Sequence, residues 1–343
     1  MTRTSLAVVV AAAGLALAGA EVEGQGAGAQ QPYPVGNALG LPMTPSDDGG
    51  FNPISSNVKV YGSVYSAESC SYDPVRELIV IPNRGVPQNV QVNNAWITFM
   101  NHDGSIHTSR WLGIQAPEQR ATLDPPLILN EPFGSDIADG VLYLADRDGG
   151  TSPGDPSVAV IRRFDMATGR PLGESRVEEV AWFNDIEVAA DGTVFATVSG
   201  AAGENPDTST WQLWRVPQEG EATMIVQGAP LARPNGVAID GDGNVVVVNM
   251  ATPDVVTFTP EGEVVRTEQA AQAGNDGIVI MADGTKYVSS VLEGGVSRIG
   301  PGQTAELIAE NIPNAASMCY DEGANQLVIP MNANNAMAFI SLD

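Results

Sequence analysis

Phe183-Asn184-Asp185-Ile186-Glu187-Val188, Pro234-Asn235-Gly236-Val237-Ala238-Ile239 and Asn275-Asp276-Gly277-Ile278-Val279-Ile280 share one pattern, an amide or carboxylate at the head of an alternating apolar run. A hairpin signal follows each at the same offset: Asp191-Gly192, Asp242-Gly243 and Asp283-Gly284. Alternation with period two marks a half-buried strand, and Asp-Gly between two such runs marks a tight hairpin. A fourth stretch, Ala67-Glu68-Ser69-Cys70-Ser71-Tyr72, opens in the same way. The chain is therefore built from repeats, each beginning on a strand that carries an oxygen donor near its start.

Working outward, short runs rich in Val, Ile, Tyr, Phe and Thr fill residues 58–343, and helical periodicity is almost absent. Aligning the openings places Glu68, Ser135, Asn184, Asn235, Asp276 and Ala316 in equivalent positions. A unit of about 40 to 50 residues with about four strands is the spacing of a β-propeller blade. Six openings predict six four-stranded blades in an all-β ring. The last blade has room for only three strands, so residues 58–62 are expected to supply the fourth and close the ring, which also hides sheet edges. Residues 30–57, rich in Pro, Gly, Ser and Asp, read as a linker or arm.

Arg3 followed by an uncharged apolar run over residues 6–18 reads as a signal peptide within residues 1–29, with cleavage after Ala20 or Ala29. The run is too short for a good membrane span and no Cys lies near either site, so no membrane anchor is expected and the mature chain is placed in a periplasm or outside the cell. With 41 acidic against 16 basic residues and a formal charge of −25, nucleic acid and anionic lipid surfaces are excluded as partners. The only two cysteines, Cys70 and Cys319, fall in the first and last repeats, which are neighbours in a closed ring. A disulfide between them is one reading and two buried thiols the other.

Glu68, Asn184, Asn235 and Asp276, at equivalent positions of inner strands, should converge on the channel axis. Two carboxylates and two amide oxygens suit one hard divalent cation, Ca²⁺ first and then Mg²⁺ or Mn²⁺, with Zn²⁺ the poorer fit because no His or Cys joins the set.

The same residues carry a resemblance. Phe183-Asn184-Asp185, Arg233-Pro234-Asn235-Gly236-Val237-Ala238 and Asn275-Asp276-Gly277, each with its Asp-Gly hairpin, together with Glu68, resemble the senescence marker protein / gluconolactonase / luciferin-regenerating enzyme-like family of six-bladed propellers. The resemblance implies a metal-dependent lactonase or esterase acting on a small-molecule substrate. It implies metal ligands at Glu68, Asn235 and Asp276, Asn184 as a further ligand or substrate contact, and Asp276 as the candidate catalytic base. The chain departs from the family in carrying Trp182 where sugar-lactone members carry arginine, Ile186 where a glycine is expected, Ser69-Cys70 where Gly-Pro is expected, and a weak second opening, Gly134-Ser135-Asp136. Trp182, with Asn184 and Ser135, is accordingly placed in the substrate contact set, and an apolar or aromatic substrate is expected.

Two other functions share these features: a non-enzymatic ligand- or protein-binding propeller, and a lyase or isomerase step on the same metal. Gly150-Thr151-Ser152-Pro153-Gly154 matches a nucleophile elbow only formally, since its prolines deny it the helix that must follow.

Overall fold

The computed structural model describes residues 43–45, 51–85, 93–152 and 154–343. The expected signal peptide lies outside the described residues. Six four-stranded antiparallel sheets follow one another along the chain. Blade 1 comprises Ser71–Asp73, Leu78–Asn83, Trp96–Met100 and Ile106–Leu112, and blade 2 Ser135–Ala138, Val141–Asp148, Val158–Asp165 and Pro171–Val177. Blade 3 comprises Ile186–Val188, Val194–Val198, Gln212–Val216 and Thr223–Gln227, and blade 4 Pro234–Ile239, Val245–Asn249, Asp254–Phe258 and Val264–Gln269. Blade 5 runs through Asn275–Ile280, Lys286–Ser290, Val296–Ile299 and Glu306–Ala309. Blade 6 takes Cys319–Asp321, Gln326–Met331 and Ala336–Ser341 from the end of the chain and Val58–Tyr61 from its beginning.

The innermost strand of each blade touches that of the next, and that of blade 6 touches that of blade 1, so the ring is closed. The closing strand pairs antiparallel with Ala336–Ser341, Val58 opposite Ile340 and Tyr61 opposite Met337. Just before it, Ser55 and Asn57 bind the backbone of Glu310 and Ile308, which lays this part of the expected linker along the outer edge of blade 5. Met43–Pro45 and Phe51–Pro53 form a separate two-stranded hairpin. The only α-helix among the described residues is Pro117–Arg120, and no helix is long and apolar enough to cross a membrane.

The second strands are buried on both faces, and alternate side chains go to opposite seams: Val245 and Val247 pack toward one neighbouring blade and Val246 and Val248 toward the other. The core is accordingly six wedges rather than one centre. Phe183, Ile186 and Trp214 of blade 3, for example, pack on Tyr143 and Ile161 of blade 2. At the closing seam Cys70 and Cys319 lie on adjacent inner strands with Cα atoms 5.4 Å apart and form a disulfide.

Candidate active site at the channel mouth

The ladders fix which residues share a level. Ile186, Val237 and Ile278 pair with Ala196, Val247 and Val288 of their second strands. Two residues earlier on each inner strand stand Asn184, Asn235 and Asp276. In blade 3 the Asn184 N–H donates to Thr197 O, and in blade 6 the Ala316 N–H makes the corresponding bond to Pro330 O. In blade 2 the corresponding bond is Phe133 N–H to Ala145 O. The second opening is thus displaced by two residues from the expected alignment. Phe133, not Ser135, stands at the level of Asn184. Ser135 lies lower, buried, its hydroxyl bonded to those of Ser69 (2.9 Å) and Ser71 (2.8 Å) in the seam with blade 1. That engagement turns it away from the mouth.

The first ring of side chains, around the six blades, is therefore Glu68, Phe133, Asn184, Asn235, Asp276 and Ala316. The second ring, one residue on, is Ser69, Gly134, Asp185, Gly236, Gly277 and Ser317. All but one of the second ring are small, for a steric reason. A Cβ on Gly236 would lie 2.3 Å from Asp276 O, and one on Gly277 would lie 2.4 Å from Met318 N. Glycine lets the inner strand of the next blade approach, which narrows the channel until donors from several blades can share a ligand.

The exception, Asp185, fills the space the small residues leave. Its carboxylate accepts from Val237 N–H of blade 4 and from the Ser317 hydroxyl of blade 6, both at 3.3 Å, and a Cβ on Gly134 of blade 2 would touch it. It reaches toward three other blades from the axis. The repeat pattern by itself assigns this residue no role. The available signal was its place where blades 2, 4 and 5 carry glycine.

Glu68, Asn184, Asn235 and Asp276 are all nearly solvent-free. The Asn184 amide nitrogen donates to Ser199 Oγ (2.8 Å), which donates to Pro234 O (2.7 Å), tying the first ring of blade 3 to that of blade 4. Glu68 accepts from Arg84 at 3.3 Å and from Asn332, both at Oε2. Arg84 also meets Glu131 (2.7 Å), which Arg147 holds from the other side through its Nε (2.9 Å). Arg84 lies over Phe133, 4.6 Å from the ring centre, and Arg147 over Trp182 at 5.6 Å. Trp182, half-buried, thus sits beside a guanidinium supplied by blade 2. Burial raises Asp276 well above the ordinary carboxylate range, and the charges of Glu68 and Asp185 raise it further, with Asn235 pulling the other way. Burial pushes Asp185 up to about 7, against the backbone donors, with Glu68 adding to the rise. Below them Glu187 is raised well above its usual value by burial and by Asp136 and Asp185.

Both side-chain oxygens of Asp276 and both polar atoms of the Asn235 amide are buried without a hydrogen bond of normal geometry. Such groups are costly unless something satisfies them, and like charges gathered in one site favour a cation. Among the described residues no three His, Cys, Asp or Glu side chains are placed to hold a metal. The fitting set is instead two carboxylates with two amides, the donor chemistry of a hard cation.

The sequence profile described as the SMP-30/Gluconolactonase/LRE-like region matches residues 136–330. The chain belongs to this family. Solved structures similar to this gluconolactonase-like propeller include a gluconolactonase of Xanthomonas campestris, 15% identical, with a TM-score of 0.55 over 90% of this chain and 96% of that one. Another is a catalytically inactive variant of virginiamycin B lyase from Staphylococcus aureus with quinupristin, 12% identical, with a TM-score of 0.54 over 83% and 100%. At these identities the likeness is one of fold. No curated protein matches the sequence significantly.

Proposed function

We propose that the protein is a hydrolase of lactones or esters that works with one divalent cation, Ca²⁺ first, held by Glu68, Asn184, Asn235 and Asp276. The observation that carries this reading is the first ring, where four oxygen-bearing side chains from four blades share one level and those of Asn235 and Asp276 are buried without a hydrogen bond of normal geometry. Family membership and the gluconolactonase among the similar folds support the lactone class. When bound, the cation supplies a Lewis acid for the carbonyl and a lowered pKa for water.

The chain's own residues supply the rest. Arg84 and Asn332 fix the rotamer of Glu68 from one side, so this carboxylate is held before any ligand arrives. Ser199 fixes the amide plane of Asn184 and so orients its oxygen. Burial and the charges of Glu68 and Asp185 favour the protonated form of Asp276 in the metal-free site, so a cation beside it would be what frees this carboxylate to act as ligand or base. The role of ligand and the role of base compete for the same carboxylate, and the ligand role rests on more of the geometry. Trp182 and Phe133, each under a guanidinium, form an apolar wall on the blade 2 side that suits a flat or apolar substrate body.

A screen of lactones and aryl esters, with chelator and then with added Ca²⁺, tests the reading. Turnover lost on chelation and restored by Ca²⁺, with products heavier than substrate by one water, is expected. Metal-independent turnover ends the metal assignment, and a product formed without gain of water moves the chain to lyase or isomerase chemistry. Tight ligand binding without turnover makes it a binding propeller.

A further inference from the structure

Among the described residues four arginines are buried, and three of them are matched by acids. Arg84 meets Glu68 and Glu131, Arg147 meets Glu131, and Arg162 meets Asp146, Asp148 and Glu174. The fourth, Arg120, is 1% exposed and has no carboxylate partner. Its Nε donates to Gln115 O (3.0 Å) and its Nη1 to Ala95 O (2.7 Å), while Nη2 makes no hydrogen bond. Taking a charge out of water without an opposite charge is costly. In a chain with 41 acidic residues this exception needs a reason.

Arg120 lines a surface cavity of about 460 Å³ together with Arg110, which also has no ion pair among the described residues and lies over Trp96 with its guanidinium carbon 4.3 Å from the ring centre. Tyr65 stacks on the same tryptophan at 6.1 Å. None of the described residues lining the cavity is Asp or Glu. Burial, and then the charge of Arg110, lower Arg120 to about 10, so it stays a cation at neutral pH while the two repel each other. Gly85, on the cavity wall, directly follows Arg84, the residue that holds Glu68, which puts the cavity on the face of the disc that bears the channel mouth.

We propose that this cavity is an oxyanion site, binding a carboxylate or phosphate group between Arg110 and Arg120, with Tyr65 and Trp96 against the rest of the ligand. An anion supplies the acceptors that the two guanidiniums lack, and such charge-assisted bonds are the strong ones. The anion has two sources of the same chemistry: a free small anion, or an acidic tail on the substrate that occupies the channel mouth.

Titration calorimetry of the full chain with inorganic phosphate, in EDTA and at physiological ionic strength, is the test. One bound equivalent is expected. Arg110→Gln should weaken binding by about tenfold or more, the loss of one charge-assisted contact, with an unchanged circular dichroism spectrum because Arg110 is exposed. Arg120→Lys, which keeps the charge and loses the fork, should weaken it as well. No saturable binding, or binding indifferent to Arg110→Gln, overturns the proposal. Because the titration needs neither metal nor turnover, its failure leaves the hydrolase reading standing, and failure of that reading leaves this one standing. Two lactones then separate the sources. If phosphate and Arg110→Gln raise KM only for a lactone carrying a carboxylate tail, the cavity is a substrate subsite. If neither lactone is affected, it serves a separate anion.

Discussion

In blades 2, 4 and 5 the second position of the inner strand is glycine, and in blade 3 it is Asp185. One carboxylate therefore sits among the smallest residues of the ring, and its burial raises it to about 7 from an ordinary value of 3.8. The sign of the pH effect follows. A raised carboxyl is stabilising while protonated, so its contribution is full below about pH 4, declines as pH rises, and is gone above about 7. Three pKa units correspond to about 4 kcal/mol at most, and Asp276 and Glu187 act in the same direction. Melting curves in EDTA should show the metal-free chain losing stability from pH 5 to pH 8, and Ca²⁺ should recover most of the loss. A flat or rising curve contradicts the assignment. Asp276→Asn removes one of the two carboxylates of the proposed cation site. It should weaken Ca²⁺ binding at least tenfold by calorimetry and reduce turnover about a hundredfold or more, with the far-ultraviolet spectrum unchanged. At this scale the common level of Glu68, Asn184, Asn235 and Asp276 was legible in the sequence because they recur with a fixed offset to a hairpin or repeat start. Asp185 was not, because it stands where its repeat breaks the pattern. Ser135 was misplaced because blade 2 carries no donor at the ring level, so nothing polar marked Phe133 as the true equivalent.

Inner strands have one edge paired within the blade and one facing the channel, where N–H groups lack ladder partners. Carboxylates of the preceding blade cap some of them: Asp136 accepts from Val188 N–H (2.9 Å), and Asp185 accepts from Val237 N–H. The glycines do the complementary work of letting these strands come near. Gly277→Ala should destabilise the fold by about 1–3 kcal/mol, the range for forcing extra atoms into a packed site, and should weaken metal binding by moving Asp276. Denaturant melts and calorimetry on one variant check both effects. Ala316→Gly, at a ring position without a donor, is the control expected to leave metal affinity unchanged. The strands themselves were readable because their alternation is strong. The blade 2 register was not, since residues between Asn101 and Gly134 include a helix and loops that no repeat count predicts.

At the scale of the whole molecule the ring was the most legible feature. A short last repeat and a spare strand at residues 58–62 called for each other, and Val58–Tyr61 completes blade 6 as expected. The seam so formed is held twice more. His102 of blade 1 meets Asp321 of blade 6 through Nδ1 at 2.7 Å, and the Cys70–Cys319 bridge joins the inner strands across 249 residues of sequence. Cys70→Ser with Cys319→Ser should lower stability by about 3–5 kcal/mol, as expected when a long loop in the unfolded chain is released, with the blades intact by circular dichroism. Equal denaturant midpoints for the variant and the parent would remove the bridge from the account of stability.

The closing strand also imposes an order in time. Val58–Tyr61 is synthesised before every other strand of the ring, yet its partner Ala336–Ser341 is the last of them. Until the ribosome has delivered nearly the whole chain, the first strand has no ladder to join and Cys70 has no sulfur to meet. Nascent blades can form from local hairpins as they emerge, but the circle is sealed only by a contact between the first and last strands of the ring. The Cys70–Cys319 bond can appear only once the inner strand of blade 6 has been made, and a chain stopped short of residue 336 is an open arc with a strand edge available to any neighbour.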